Sequence, residues 1–333
     1  MGRNSNLSYA LGIDVGGTKI LAGVVDLSTG TPVATTKKRT KAGGGTEDLI
    51  KRIVDAGLDA LVQARNGKKA ITVEVGGLGI TGVIDRARGV LIGSPNLAGV
   101  VNVPLAERLS RELRLRMTIG NDLEVATLGE QRFGAGKGQD TFVCVFVGTG
   151  IGSGIIHEGR YLIGASSSAG EIGHATIAYG GRLCSCGGRG HLEAYASRAA
   201  ITRVIVEEIR RGRPTSLRAS LPDPLPDIPL GGLIRSQAIA QAIDDGDDLA
   251  VEAVTEGARY LSAGLTAIVN FYNPPRIILG GGLVSAVDLY FKVAAQKAVD
   301  DSMVVARDKV KIVRAKLGDY AGIVGAALLG ASV

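Results

Sequence analysis

Tryptophan is missing from the 333 residues, and aromatic residues together make up only 4%. Cysteine occurs three times, as Cys144, Cys184 and Cys186. That is too few and too uneven for a disulfide framework, so the chain reads as one made for a reducing compartment. No uninterrupted apolar run reaches the ~18 residues of a membrane span. The opening Met-Gly-Arg-Asn-Ser-Asn has no apolar core of a signal peptide, and Asn6 stands where a myristoylation signal wants Ser or Thr. A cytoplasmic protein with no membrane partner is expected. The net charge of +6 comes from 38 basic and 32 acidic residues. The basic residues are scattered, and the densest runs, Lys37-Lys38-Arg39 with Lys41 and the stretch Arg108 to Arg116, carry no interleaved aromatics. No nucleic-acid partner is expected, while a basic surface would favour an anionic substrate.

What the chain has in excess is glycine, 49 residues, about twice the usual ~7%. Hydrophobic residues at 45% and charged residues at 21% exclude disordered, collagenous and low-complexity classes. Length alone suggests two domains, at about 150 residues each.

Residues 9–26 read as strand, glycine turn and strand. A helix follows from Thr46, as N-cap, to Asn66-Gly67, with Glu47 and Asp48 in its first turn. Residues 71–80 read as a strand, Leu105 to Leu113 as a helix, Met117 to Gly120 as a short strand, and Leu123 to Phe133 as a helix. A second strand–turn–strand unit occupies 142–156, ending in the hairpin-like His157-Glu158-Gly159. The apolar run Arg276 to Leu279 leads into Gly280-Gly-Gly282, and Gly325 to Gly330 lies in a final helix. Five of the ten prolines fall between Pro214 and Pro229, which reads as a loop or insertion. Strands alternating with helices make the class α/β.

Glycine turns after strands let backbone N–H groups approach an anion with no Cβ in the way. Asp14-Val-Gly-Gly-Thr-Lys19 adds a carboxylate, a hydroxyl and an ammonium. That set can hold a phosphate and, through Asp14, a hydrated magnesium ion. A lone motif of this kind would be a plain hairpin. A second turn at Gly148 to Gly154 and a third at Gly280 to Gly282 favour phosphate binding. Gly134-Ala-Gly-Lys137-Gly138 has no Ser or Thr after its lysine and reads as a surface loop. The dinucleotide fingerprint is missing too, since the first glycine turn leads into a strand.

Asn121-Asp122 follows a strand and opens a helix, where a carboxylate can take a proton from a hydroxyl. Spacing alone favours an ordinary helix cap there. His174, Cys184, Cys186 and His191 offer four N/S ligands in a glycine-rich stretch, which matches closed tetrahedral structural zinc. Cys144 and His157 read as structural residues.

These motifs together resemble the ROK family of sugar kinases and repressors, particularly its bacterial glucokinase branch. They are Asp14-Val-Gly-Gly-Thr-Lys19, Gly79-Ile-Thr-Gly82, Pro95-Asn-Leu97 with Gly99, Asn121-Asp122, Gly148-Thr-Gly-Ile-Gly-Ser-Gly154, Glu171-Ile-Gly-His174, the Cys184 loop and Gly280-Gly-Gly282. The resemblance runs from Leu11 to about Gly330. It implies an actin-like, ribonuclease-H-type pair of α/β lobes closing over ATP and a hexose, one of residues 1–120 plus about 315–333 and one of 121–314, with the proline-rich insertion near 212–230. It implies Asp122 as the base on the attacking hydroxyl. Asn96, Asn121, Asp122, Glu171, His174 and Glu193 would hold the sugar. Asp14, Gly16, Gly17, Thr18, Lys19, Thr149 and Gly150 would serve ATP and Mg2+, with Gly281 near the adenosine.

The implied activity is phosphorylation of an aldohexose, glucose first, by a homodimer or dimer of dimers. N-acetylglucosamine, N-acetylmannosamine, mannose and fructose are alternative substrates, and polyphosphate an alternative donor. A sugar-responsive repressor of the same family would need a DNA-binding module, and only about eight residues precede the first strand. Two departures stand out. His191 replaces the third cysteine of the family's zinc loop, which makes a two-Cys, two-His site, and Val100 stands where an aromatic is usual.

Overall fold

The computed structural model describes residues 7–41, 43–67, 71–94, 97, 99–225 and 234–332. Along the chain come β1 (Tyr9–Val15), β2 (Lys19–Asp26), β3 (Pro32–Arg39), α1 (Gly45–Arg65), β4 (Val75–Ile80), β5 (Val83–Asp85), β6 (Val90–Gly93), β7 (Val101–Val103), α2 (Leu105–Leu113), β8 (Arg116–Asn121) and α3 (Asp122–Phe133). Then follow β9 (Phe142–Val147), β10 (Ile151–His157), β11 (Arg160–Tyr161), α4 (Glu193–Ala196), α5 (Arg198–Arg210), α6 (Ser236–Asp244) and α7 (Asp248–Tyr272). The chain ends in β12 (Arg276–Gly280), α8 (Gly282–Ala286), α9 (Asp288–Asp300), α10 (Val304–Arg307), β13 (Lys311–Arg314) and α11 (Ala321–Ala331). Two compact units result. The first holds Met1–Gln139, Arg160–Ala169 and Lys316–Val333; the second holds Asp140–Gly159 and Gly170–Ala315.

The first unit is built on a sheet of order β3-β2-β1-β4-β8. Its first three strands form an antiparallel meander, and β4 and β8 add in parallel. On α1 the apolar residues Leu49, Ile50, Ile53, Val54, Ala60, Leu61 and Ala64 recur at helical spacing, and all are buried against the sheet. This helix starts at Gly45, with Thr46 inside it and no side-chain cap. Asp48, which could have served the helix end, instead takes both nitrogens of the Arg52 fork at 2.6 and 3.0 Å. The strand expected over 71–80 is paired only from Val75, where its register with β8 begins.

The other face of the same sheet meets α11 partly through side chains, with Ala10, Leu21, Val25 and Val75 clustered with Ile323, Val324 and Ala327, and partly backbone on backbone. A Cβ on Gly12 of β1 would overlap the carbonyl oxygen of Ile323, and one on Gly77 of β4 would overlap that of Ala326. On the far side of α11, a Cβ on Gly325 would overlap the Val125 carbonyl of α3. Glycine here lets backbone lie on backbone.

This packing is why α3 belongs with the first unit, which runs past residue 120 to Gln139. The buried Glu130 of α3 adds a polar anchor, accepting the N–H groups of Ala135 at 2.7 Å, Lys316 at 3.0 Å and Leu317 at 2.8 Å. Gly134 to Gly136 are therefore buried in a turn around Glu130, and only Lys137 and Gly138 of that stretch are exposed.

The second unit repeats the plan. The order β10-β9-β12-β13 is an antiparallel hairpin followed by two parallel strands, as β2-β1-β4-β8 is in the first unit. Its core is made of branched side chains. Val143, Val145, Val147, Ile277 and Leu279 from the sheet share one cluster with Leu261, Leu265 and Ile268 of α7. Asp247 caps α7 by accepting the Ala250 N–H at 3.0 Å. The turn after β10 falls at Glu158-Gly159, both at positive φ, as expected for a hairpin-type turn. Of the proline-rich stretch, Ser216–Ser220 form a 3-10 turn, and residues 226–233 lie outside the described residues.

Candidate functional site

The first unit gathers its chemistry at the carboxyl ends of β1, β4 and β8. β1 delivers Asp14 two residues before the Gly16-Gly17 turn, in which Gly16 donates to the Lys19 carbonyl at 3.0 Å and accepts the Thr40 hydroxyl at 2.7 Å. Thr18 is exposed at the tip. Lys19 reaches Asp319 at 3.3 Å, just before α11. Asp14 itself is enclosed against the first turn of α11, where a Cβ on Gly322 would come within 2.6 Å of its Cγ. Burial pushes the Asp14 carboxyl up to about 7, repulsion from Asp122 adds to the rise, and Lys19 opposes it.

β8 ends at Asn121, which is the N-cap of α3. Its Oδ1 accepts the Leu123 N–H at 2.9 Å, and Glu124 returns a bond to the Asn121 N–H at 3.2 Å. The Asn121 amide nitrogen donates to the Gly82 carbonyl at 3.1 Å. The helix-cap reading therefore describes Asn121 well, and its side chain serves the fold on both ends. Glu124 is buried and ion-paired to Arg86, so the cap rests on a second layer.

Asp122 then occupies the first helical position. Its Oδ2 accepts the Thr81 hydroxyl at 2.7 Å and its Oδ1 accepts the Leu123 N–H at 3.1 Å. Burial raises its carboxyl above the ordinary range, and those two donors act against the rise. Thr81 was not singled out by sequence as a site residue, although it lies inside Gly79-Ile-Thr-Gly82. The topology supplies the missing signal: β4 lies beside β8, with Ile80 opposite Asn121. Asn96 lies outside the described residues, while its neighbours Leu97 and Val100 are buried.

The second unit carries the other half of the predicted residues. The turn Gly148-Thr149-Gly150 joins β9 to β10, and Thr149 is exposed on it. A Cβ on Gly150 would overlap the Glu193 carboxylate, which accepts the Ile151 N–H at 2.8 Å and the Ser185 hydroxyl at 3.0 Å. Glu193 thus ties this turn to the cysteine loop. Gly281, at φ +90°, follows β12 with its Cα hard against the backbone of Val147. Glu171 is exposed just before the 3-10 turn Ile172–His174.

His174, Cys184, Cys186 and His191 place one ligand atom each within 4.8 Å of all the others. Cys184 Sγ lies 3.7 Å from His174 Nδ1, and Cys186 Sγ lies 3.2 Å from His191 Nδ1. Bonds of about 2.3 Å to sulfur and about 2.0 Å to nitrogen in a tetrahedron require edges of roughly 3.5 Å. The four residues therefore fit zinc. Cys144 is buried in β9, and His157 is hydrogen-bonded to Tyr272 at 2.9 Å, both outside this cluster. Among the described residues, no helix is long and apolar enough to cross a membrane.

Residues 10–332 match the family model described as ROK family. A glucokinase of Thermotoga maritima is 32% identical over 95% of each chain. A glucokinase of Streptomyces coelicolor is 34% identical over 96% of this chain and 97% of its own. The crystal structure of a ROK family glucokinase from Streptomyces griseus, in complex with glucose and AMPPNP, superposes with a TM-score of 0.80 at 32% identity. That match covers 98% of this chain and all of the other. The actin-like α/β fold expected from the motifs is the fold these matches share.

Proposed function

The chain belongs to the ROK family, and from that premise we propose that it transfers the terminal phosphoryl group of ATP to glucose. The observation that carries the reading is the Asp122 carboxylate, enclosed at the start of α3 and oriented by Thr81. A sugar hydroxyl is a weak nucleophile, so a carboxylate within reach must accept its proton as the bond to phosphorus forms. Burial that raises the Asp122 carboxyl makes it a better proton acceptor, and the Thr81 hydroxyl and the Leu123 N–H orient its two oxygens. Glu193 and His174 would orient sugar hydroxyls, together with Glu171 and Asn96. The Gly16-Gly17-Thr18-Lys19 and Gly148-Thr149-Gly150 turns would hold phosphates through backbone N–H groups, a hydroxyl and an ammonium.

Asp14 fits a magnesium ion. It is a hard oxygen donor repelled by Asp122, so a cation beside it would relieve the cost of ionising both. Bound magnesium would offset negative charge on the phosphates. Zinc on His174, Cys184, Cys186 and His191 would be structural, fixing the loop whose Ser185 holds Glu193. The unbridged thiols suit the reducing cytoplasm.

The test is ADP release with ATP over a panel of glucose, mannose, fructose, N-acetylglucosamine and N-acetylmannosamine. Glucose is expected to give the highest kcat/KM; no turnover with any hexose would refute the kinase reading. Metal analysis of protein purified without chelator should find one zinc per chain, and finding none would refute the structural site.

A further inference from the structure

Arg198 of the second unit is bound to the Gly148-Thr149 turn through both its backbone and its side chain. It is the first residue of α5, and its own N–H donates to the Gly148 carbonyl at 3.0 Å. Its side chain turns back to the same place, with one terminal nitrogen donating to the Thr149 hydroxyl at 2.7 Å. The guanidinium is half-buried, yet no carboxylate pairs with it among the described residues. Its Nε is fully buried without a hydrogen-bond partner. Burial alone lowers its affinity for the proton, and no acid offsets that effect. Arg211 and Arg213 of the same unit, the one exposed and the other partly buried, do have carboxylate partners.

A buried, unpaired guanidinium costs stability, because a charge taken from water is compensated only by an opposite charge or a full set of hydrogen bonds. The turn does not need that expense to hold its shape. The Arg198 and Ala199 N–H groups already tether Gly148 and Thr149, and Glu193 tethers Ile151. A planar fork with spare donors, fixed beside an exposed Thr149 on a glycine turn, matches the oxygens of a phosphate chain.

We propose that Arg198 is a phosphate-binding residue that takes an anionic oxygen of the phosphoryl donor at the Gly148-Thr149-Gly150 turn. The inference deepens the kinase reading and rests on it for the identity of the donor. The anion supplies the missing counter-charge, Thr149 holds the fork in register before the donor arrives, and selectivity for a polyanionic donor follows.

Arg198→Gln removes the charge and ends two bonds short of the terminal nitrogen that reaches Thr149; Arg198→Lys keeps the charge but loses the fork. The KM for ATP should rise at least tenfold in Arg198→Gln, with the KM for glucose within twofold of wild type, and Arg198→Lys should recover part of the loss. Inorganic tripolyphosphate, titrated calorimetrically into the unreacted protein, should bind Arg198→Gln at least tenfold more weakly than wild type. An unchanged KM for ATP in Arg198→Gln would overturn the assignment. So would equal losses in both variants accompanied by a lowered melting temperature, since that pattern marks a purely structural residue. If wild type turns over no hexose, the kinase reading fails, and tripolyphosphate binding still decides whether Arg198 holds a phosphate chain.

Discussion

The two units share a strand order and differ in what fills it. In both, an antiparallel hairpin with a glycine turn lies beside two parallel strands. One residue before its last paired position, the first hairpin carries Asp14 and the second carries Phe146. The first unit has a pair of enclosed carboxylates whose protons are hard to remove. The second has a hydroxyl, an arginine and a cluster of soft metal ligands. One topology thus carries enclosed carboxylates in one copy and, in the other, the groups proposed to bind anion and metal. The units also close differently. Both cores hold valine, leucine and isoleucine, but in the first unit glycines also let α11 lie backbone on backbone against the sheet.

The difference in packing predicts the largest effect. Gly325→Ala puts a methyl group into the Val125 carbonyl, and backbone has no rotamer to escape by. It should cost the first unit about 3 kcal/mol or more, seen as a fall in melting temperature and early proteolysis within residues 1–139. Gly264→Ala in α7 of the second unit meets the tip of the Leu192 side chain and should cost less than about 1 kcal/mol, because such a tip moves aside. Equal losses would erase the distinction between the two cores.

The carboxylates give the next effect. The Asp14 carboxyl ionises at about 7 in the folded protein and near its ordinary 3.8 in the unfolded chain. Between these values the folded state holds a proton that the unfolded state has released, so stability falls as pH rises from about 4 to about 7 and is level above. Asp14→Asn removes that fall. In metal-free protein it should be more stable than wild type by up to about 4 kcal/mol at pH 8, three pKa units at about 1.4 kcal/mol each, and should gain nothing from this source below pH 4. Denaturant titrations at pH 4 and pH 8 measure it, and a difference independent of pH would refute the enclosed, proton-holding Asp14.

The smallest effect concerns Thr81. Removing its hydroxyl takes away a donor that favours ionised Asp122, so Thr81→Val should move the acidic limb of kcat/KM to higher pH. Thr81→Ser should restore it. A limb that stays in place would show that Thr81 does not tune the base.

Much of this was legible in the sequence because it was local. The glycine turns, the Asn121 cap, α2, the end helix and the cluster of two histidines and two cysteines each announce themselves within a short stretch. The rest is set by distance along the chain. Thr81 meets Asp122 across 41 residues and Arg198 meets Thr149 across 49, so only the sheet order and the start of α5 bring them together. Thr46 has the side chain of an N-cap, but α1 starts at Gly45 with Gly44 as an N-cap that makes no side-chain bond. The glycine excess pointed to ligand turns, yet Gly12, Gly77 and Gly325 serve helix-on-sheet contact. Periodicity alone does not separate these two uses of the same residue.

The most direct measurement is the comparison of Asp122→Asn with wild type in two assays, glucose-dependent ADP release and calorimetric glucose binding. The amide keeps the shape and the Thr81 contact but cannot accept the proton. Turnover should drop by about 10³-fold, within the range for loss of a general base, while glucose affinity stays within a few-fold. Turnover within tenfold of wild type would contradict the role of the first unit as the source of the base.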